Sequence, residues 1–171
     1  IYLPEGANLQ PARLARELRR SCLENGVRIF ENTPVTGVEE GEPCLVRAAR
    51  GEIRCRQVVL ATNTGLAGHP LASGHLAIFS SYAVMSEEIP DLHGKIGWEA
   101  DEGIADLRMF VHYFRKAGDS RILMGSGSGP IAYGARYGDP VLSEDAASAG
   151  RASAALSRLM PGLGRPRIEK A

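Results

Sequence analysis

Residues 57–63 (Gln-Val-Val-Leu-Ala-Thr-Asn) constrain the fold of this 171-residue chain more than any other feature. Their apolar, partly β-branched residues end abruptly in small and polar ones, a pattern that predicts a buried parallel strand. In open α/β sheets, ligands bind just outside the carboxyl ends of such strands. Ala61 is small enough for a bulky group to approach the backbone, and Thr62 and Asn63 offer short hydrogen-bonding side chains. The run indicates either a ligand crevice or simply a core strand followed by a loop.

The composition is that of an ordinary folded protein without an obvious polyanionic partner. Hydrophobic residues make up 44% and charged residues 23% of the chain, and the formal net charge is zero. The apolar runs are only a few residues long, whereas a membrane-spanning helix needs roughly 20. The first residues show no hydrophobic stretch typical of a secretory signal, so none is expected. We therefore expect neither nucleic acid nor a membrane as a partner.

The three cysteines, Cys22, Cys44 and Cys55, are widely spaced and form no Cys-X-X-Cys pair, and the four histidines do not cluster. This spacing disfavours a zinc site and a disulfide framework, so we predict no metal. A sparse, odd number of thiols suits a reducing compartment, so we expect a cytoplasmic protein.

Helix and strand patterns alternate in the first third of the chain. The apolar spacing of Asn8–Asn25 predicts a helix that Asn25-Gly26 ends, and a short strand follows at 27–30. Short strands split by tight turns at 34–54 predict an antiparallel meander. The run at 57–61 then returns the chain to the parallel sheet.

The glycines that follow mark a boundary, so we predict two domains, 1–66 and 67–171. Three alternating stretches predict a mostly antiparallel sheet in the second domain: 75–87, 107–116 and 121–125. A helix at 143–160, capped by Ser143, flanks it. The predicted class is α/β with α+β character: a partial parallel-sheet domain with a β-meander, then an antiparallel sheet with flanking helices.

The glycine cluster at 125–130 lacks the spacing of a dinucleotide fingerprint, and no predicted helix follows to meet a phosphate. Two interpretations stay open. The cluster is a flexible or bulged strand end, or its bare backbone lets a ligand ring lie against it.

Tyr113 and Arg115 are two residues apart on a predicted strand, so their side chains project from the same face. A phenol beside a guanidinium suits a carboxylate, which Arg binds bidentately. The alternative is a surface tyrosine beside a solvated arginine. His112 is expected on the opposite face of the strand. A hydrolytic triad is not supported either, because the sequence contains no Gly-X-Ser-X-Gly elbow.

Seven segments follow one another in a recognisable order: Asn8–Leu14, Asn25–Val27, Thr33–Val38, Val58–Asn63, Ser81–Val84, Tyr113–Arg115 and Asp119–Gly125. This ordered set, rather than any one motif, resembles the D-amino-acid oxidase-like family of FAD-dependent oxidoreductases. It is most similar to the branch with gamma-glutamylputrescine oxidase, glycine oxidase and sarcosine oxidase.

The resemblance implies a partial FAD-binding domain at 1–66. Val35 would contact the FAD adenine through its backbone, and Ala61, Thr62 and Asn63 would lie near the pyrophosphate and ribose. It also implies that the sheet at 67–171 is a substrate-binding domain that covers the flavin ring.

Three residues are the implied substrate contacts: Tyr82, Tyr113 and Arg115. No catalytic residue is assigned. The implied reaction is oxidation of an amine or amino acid to an imine, with hydride transfer to FAD.

The family's N-terminal Gly-X-Gly-X-X-Gly and its C-terminal glycine-rich segment do not occur in these residues, so the resemblance is to an internal portion of such an enzyme. We expect this portion alone to bind FAD weakly or not at all and to be inactive. Exposed apolar faces would favour a homodimer. A flavoprotein 2-hydroxy-acid dehydrogenase and a non-catalytic binding or interaction module stay open as alternatives.

Overall fold

A computed structural model describes residues 6–70, 72–127, 129–132, 138 and 140–171. The described residues fall into two units, Leu9–Asn63 and Thr64–Ala171, with residues 6–8 belonging to the second. Both units combine strands in antiparallel sheets with at least one helix, which confirms the predicted mixed class with α+β character. The domain boundary after residue 66 stays a prediction.

The Leu9–Asn63 unit consists of one long helix and an antiparallel meander. Helix α1 (Pro11–Glu24) begins after Gln10, whose side-chain oxygen accepts the Arg13 N–H, and the chain turns at Gly26 with φ 79°. Both the helix and the meander were predicted, and both are confirmed. The meander strands pair in chain order: β1 (Val35–Glu39), β2 (Cys44–Ala48) and β3 (Gly51–Cys55).

No parallel strand forms in this unit as the structure describes it. Residues 27–30 and 57–60 belong to no sheet, and Val59 is 87% exposed. The local predictions of a strand at 27–30 and of a buried parallel strand at 57–61 are therefore wrong. A strand needs a hydrogen-bonded neighbour, and no described segment pairs with either stretch. The apolar composition of residues 57–61 is suited to burial, but it does not show whether another segment pairs with them.

The described residues of the second unit form seven strands: β4 (Ile78–Phe79), β5 (Tyr82–Ser86), β6 (Ile104–Ala105), β7 (His112–Ala117), β8 (Arg121–Ser126), β9 (Ile131–Ala132) and β10 (Ile168–Lys170). Five of them form an antiparallel sheet in the order β10-β5-β8-β7-β6, while β4 pairs with β9. This confirms the mostly antiparallel sheet. A turn at residues 118–120 joins β7 to β8.

Two predicted strands are shorter in the structure than in the sequence pattern. The stretch 75–87 is split between β4 and β5, which lie in different sheets. Leu107 and Met109 lie before β7 and are 91% and 92% exposed. Asp106 explains the second difference, because its Oδ1 accepts backbone N–H groups on both sides of the bend, from Arg108 and His112. The alternation of apolar residues, on which the strand prediction rests, gives no information about these hydrogen bonds.

This unit also contains the short helix α2 (Leu92–Ile96) and the longer helix α3 (Ala146–Leu159). The core lies between one face of the five-stranded sheet and α3, which adds Leu156, while α2 adds Leu92. The helix predicted at 143–160 is confirmed, but Asp145 caps it instead of Ser143, because the Asp145 carboxylate accepts the Ser148 N–H at 3.0 Å. Among the described residues, no helix is long and apolar enough to cross a bilayer.

Candidate functional site

Tyr113 and Arg115 lie on the face of the five-stranded sheet that points away from α3. Phe114, the residue between them, lies opposite Met124 and packs with it against the core beneath α3. Because side chains alternate along a strand, the neighbours of Phe114 project from the other face. The structure thus brings Tyr113 and Arg115 to one surface.

Tyr82 belongs to the opposite side of that sheet. It is 9% exposed and lies two residues from Val84, a core residue on the same strand. In the register, Tyr82 lies opposite Ser126, whereas Ala83 lies opposite Gly125. The three implied substrate contacts therefore do not share a face, and Tyr82 packs within the protein interior.

Gly125 provides the space in which the Tyr113 ring lies. A Cβ at Gly125 would be 2.0 Å from Tyr113 Cζ and 2.2 Å from Cε2, so the ring covers the strand where a side chain would stand. The sequence left open whether the glycines make a flexible strand end or receive a ligand ring. At this position the bare backbone receives a ring of the chain itself.

The Tyr113 hydroxyl ends beside Ser81, just before β5. The two hydroxyl oxygens are 2.9 Å apart, and the Ser81 hydroxyl also donates to the Ser126 carbonyl at 3.2 Å. These contacts tie three strands together at one end of the sheet. Sequence reasoning missed Ser81, because its role depends on the register between strands that are distant in sequence.

Arg115 supplies an available cation on the same face. Its side chain is half-buried, and it forms no hydrogen bond or ion pair with any residue that the structure describes. A guanidinium in this state retains all its donors for an anion, and a carboxylate matches its planar fork.

Asp106 and His112 form a polar pair at the same end of the sheet. The His112 Nδ1 lies 2.8 Å from Asp106 Oδ2. Burial raises the pKa of Asp106, but hydrogen bonds from the His112 ring and from the backbone N–H groups of His112 and Arg108 outweigh it, so the pKa lies below its usual value. This pair fixes the bend before β7.

The residues expected near FAD belong to the other unit. Val35 begins β1 and is 56% exposed, and Ala61, Thr62 and Asn63 are also exposed. Neither Thr62 nor Asn63 forms a side-chain hydrogen bond with a described residue. Their unused polar atoms fit a polar ligand such as a nucleotide. Asn63 has φ 50°, a left-handed conformation that asparagine tolerates.

No cluster of three or more His, Cys, Asp or Glu side chains in the described ranges is arranged to hold a metal ion.

Comparison with known proteins adds a family match over the whole sequence. The family model described as DAO, FAD dependent oxidoreductase, matches residues 1–171. The chain is 26% identical over 134 residues to a probable oxidoreductase OrdL of Haemophilus influenzae, an alignment that covers 75% of this chain and 31% of the relative. It is 25% identical over 138 residues to a gamma-glutamylputrescine oxidoreductase of Escherichia coli, which covers 80% of this chain and 32% of the relative. The chain spans about a third of the length of these relatives.

Proposed function

Because the chain belongs to the DAO family of FAD-dependent oxidoreductases, we propose that the whole protein that carries it oxidises an amine or amino acid to an imine. One relative is named for gamma-glutamylputrescine, an amine, and this name supports the amine class. The observation that carries the proposal is the surface shared by Tyr113 and Arg115, where a half-buried guanidinium has no partner among the described residues. Such a surface suits a substrate that bears a carboxylate.

FAD, when bound, would accept the hydride equivalent from the substrate carbon. Val35 would contact the adenine, and the exposed Ala61, Thr62 and Asn63 would contact the pyrophosphate and ribose. The open polar groups of Thr62 and Asn63 fit this task. These assignments form part of the proposal.

The residues of the five-stranded sheet would orient the substrate. Arg115 would hold its carboxylate by charged hydrogen bonds, which restricts the positions that the reacting carbon can take. The Tyr113 ring, seated against Gly125, would form a rigid wall beside it. We assign Tyr82 no direct contact with substrate, since it is buried on the α3 side.

The proposal extends to the compartment, the partners and the oligomeric state of the protein. The three cysteines are free thiols, which agrees with a cytoplasmic protein. The proposed partner is a small amine or amino acid, with neither nucleic acid nor a membrane. A homodimer is proposed because the apolar stripe of α1 is exposed, with Leu14 43% and Leu18 57% accessible. Sedimentation that reports a monomer at all concentrations would contradict the dimer.

The reaction is tested with the full-length protein loaded with FAD. In the absence of oxygen, amines and amino acids are expected to bleach the visible flavin absorbance, whereas 2-hydroxy acids are not. Bleaching by 2-hydroxy acids alone would favour the dehydrogenase alternative. A full-length protein that binds no FAD would favour a non-catalytic binding module. The 171-residue chain alone is expected to retain little or no flavin absorbance.

A further inference from the structure

We propose that Cys44 and Cys55 are a redox pair, which a peroxide converts into a reversible disulfide within the meander. Both belong to the Leu9–Asn63 unit, whereas Tyr113 and Arg115 belong to the other unit. The disulfide needs neither substrate nor FAD, so this site is independent of the proposed function. The sequence pattern did not indicate it, because the two cysteines are 11 residues apart.

The register of the meander places the two cysteines directly opposite each other. Cys44 begins β2 and Cys55 ends β3, and the two are Cα partners at one end of this antiparallel ladder. Residues in such positions have Cα atoms about 4.5–5.5 Å apart, and their side chains lie on the same face of the sheet. A disulfide requires Cα atoms about 4.4–6.8 Å apart. The backbone therefore already has the spacing that a disulfide needs.

The contacts of the two sulfur atoms bring them to the same end of the ladder. The Cys55 Sγ lies 4.0 Å from the carbonyl oxygen of Cys44. The Cys44 Sγ lies 3.8 Å from the carbonyl oxygen of Arg56, the residue next to Cys55, and 3.3 Å from that of Gly41. Each sulfur thus lies beside the backbone at or next to the opposite cysteine. A thiol is a weak donor, so forming the disulfide gives up little hydrogen bonding.

Both thiols are free and half-buried, so each keeps part of its surface open to a small oxidant such as hydrogen peroxide. The thiolate of one cysteine attacks a peroxide oxygen, the O–O bond breaks, and the hydroxide that leaves is protonated to water. The resulting sulfenic acid is attacked by the second thiol, so that an S–S bond forms, the S–O bond breaks and a second water leaves. Two thiols and one hydrogen peroxide give one disulfide and two waters.

Cys22 provides the internal comparison, because it lies on helix α1 and is exposed. A helix residue has no partner opposite it in a ladder, so we expect Cys22 to stop at the sulfenic acid. Excess peroxide then takes it to the sulfinic acid, which dithiothreitol does not reduce. The pair should instead stop at a disulfide that dithiothreitol reverses. In a reducing compartment such a bond forms only transiently.

Peptide mapping of the full-length protein tests the pair. The reduced protein is treated with a small excess of hydrogen peroxide, alkylated, digested and analysed by mass spectrometry without reduction. We expect the peptides that contain Cys44 and Cys55 to be joined in most molecules and to separate in dithiothreitol. After a large excess of peroxide, dithiothreitol should restore nearly all of these two thiols but only a minor part of Cys22.

A shifted variant is the matched control. Arg54→Cys combined with Cys55→Ser keeps the number of thiols but moves one of them to the neighbouring residue, which lies on the other face of β3. The Arg54 side chain is 72% exposed, and its ion pair with Glu52 is on the surface. The joined peptide should be at least about tenfold less abundant than in the wild type, because the Cβ atoms point apart.

Cys55→Ser alone tests the role of the second thiol. Cys44 then has no thiol opposite it, so its sulfenic acid should persist and react with dimedone. A large excess of peroxide should oxidise Cys44 of this variant beyond the reach of dithiothreitol, whereas the wild type is protected.

The proposal is overturned if the wild type yields no joined peptide, whether or not its thiols are consumed, or if the peptides are joined only in covalent dimers on a non-reducing gel. It is also overturned if Cys22 joins either cysteine as readily as the two join each other, or if the shifted variant links as well as the wild type. The wild-type measurement decides the matter even where a variant does not fold. Anaerobic flavin bleaching by amines tests the proposed function separately.

Discussion

The Tyr113 ring occupies the place where a side chain at Gly125 would stand, so residues on two neighbouring strands share one position on the sheet. The cross-strand pair is complementary in size, because Gly125 has only a hydrogen atom where the Tyr113 ring lies. From this position the Tyr113 hydroxyl reaches Ser81 across β8. The glycine therefore determines where a polar group of the candidate site lies.

Gly125→Ala should destabilise the protein by about 1–3 kcal/mol, because the new methyl group would lie within 2.0 Å of Tyr113 Cζ and must displace the ring. Urea unfolding measures the loss. Gly127→Ala is the control, since its Cβ would meet nothing closer than 3.9 Å. Adding Tyr113→Ala to Gly125→Ala should recover part of the loss. Strictly additive effects would show that the two residues do not compete for space.

Arg115→Gln in the full-length enzyme should raise KM for an amine that bears a carboxylate by roughly 10- to 100-fold, because a charged hydrogen bond is lost. KM for an amine without a carboxylate should change little. Steady-state kinetics with both substrates give the comparison. Arg165→Gln removes an equal charge at an exposed position elsewhere in the same unit and serves as the control. Equal effects on both substrates would argue against a carboxylate contact at Arg115.

Asp106 should make the stability depend on pH at the acid end. Burial raises the pKa of Asp106, but hydrogen bonds from His112 and Arg108 lower it by more than burial raises it. The pKa in the folded state therefore lies below that in the unfolded state. The carboxylate therefore stabilises the fold above about pH 4, and this contribution is lost as pH falls through the folded-state pKa.

The measurement compares urea midpoints of the wild type and Asp106→Asn from pH 7 to strongly acidic solution. The gap between them should be widest at neutral pH and should close in acid. Glu144→Gln, at a side chain without a hydrogen bond to any described residue, should show a constant gap. A constant gap for Asp106→Asn would mean that its carboxylate has no stabilising role.

Asp145→Ala should lower the melting temperature by roughly 2–6 °C, because the carboxylate that accepts the Ser148 N–H at the start of α3 is removed. Ser143→Ala is the matched comparison, since Ser143 is the cap that the sequence pattern favoured and the structure does not use. It should leave the melting temperature almost unchanged. The reverse ranking in a thermal melt would show that the helix begins earlier than in the structure.

The elements that were predicted correctly are those defined by residues close together in sequence. Pro11 and Gly26 bracket α1, and tight turns separate the strands of the meander, so neighbouring residues suffice to define both. The shared face of Tyr113 and Arg115 follows from spacing within a single strand. These features do not depend on which segment pairs with which.

Alternation along one strand does not report contacts with other segments or with single polar side chains, and several of these contacts involve partners that are distant in sequence. The run at 57–61 has the composition of a buried strand, but no described segment pairs with it. Tyr82 and Tyr113 each lie on a predicted strand, yet only the register shows that they are on opposite faces. The bend before β7 depends on the Asp106 carboxylate, and apolar alternation does not report it.

The same bend leaves Met109 with 92% of its surface accessible, whereas Met124 is fully buried and Met160 is 7% exposed. Thioether sulfur is oxidised to a sulfoxide by mild peroxide wherever the reagent reaches it. Met109 would then take up oxygen ahead of these two core methionines and become polar without disturbing the packing beneath α3. The bend before β7 is thus the part of this unit on which oxidative damage would fall first, and the core would be spared.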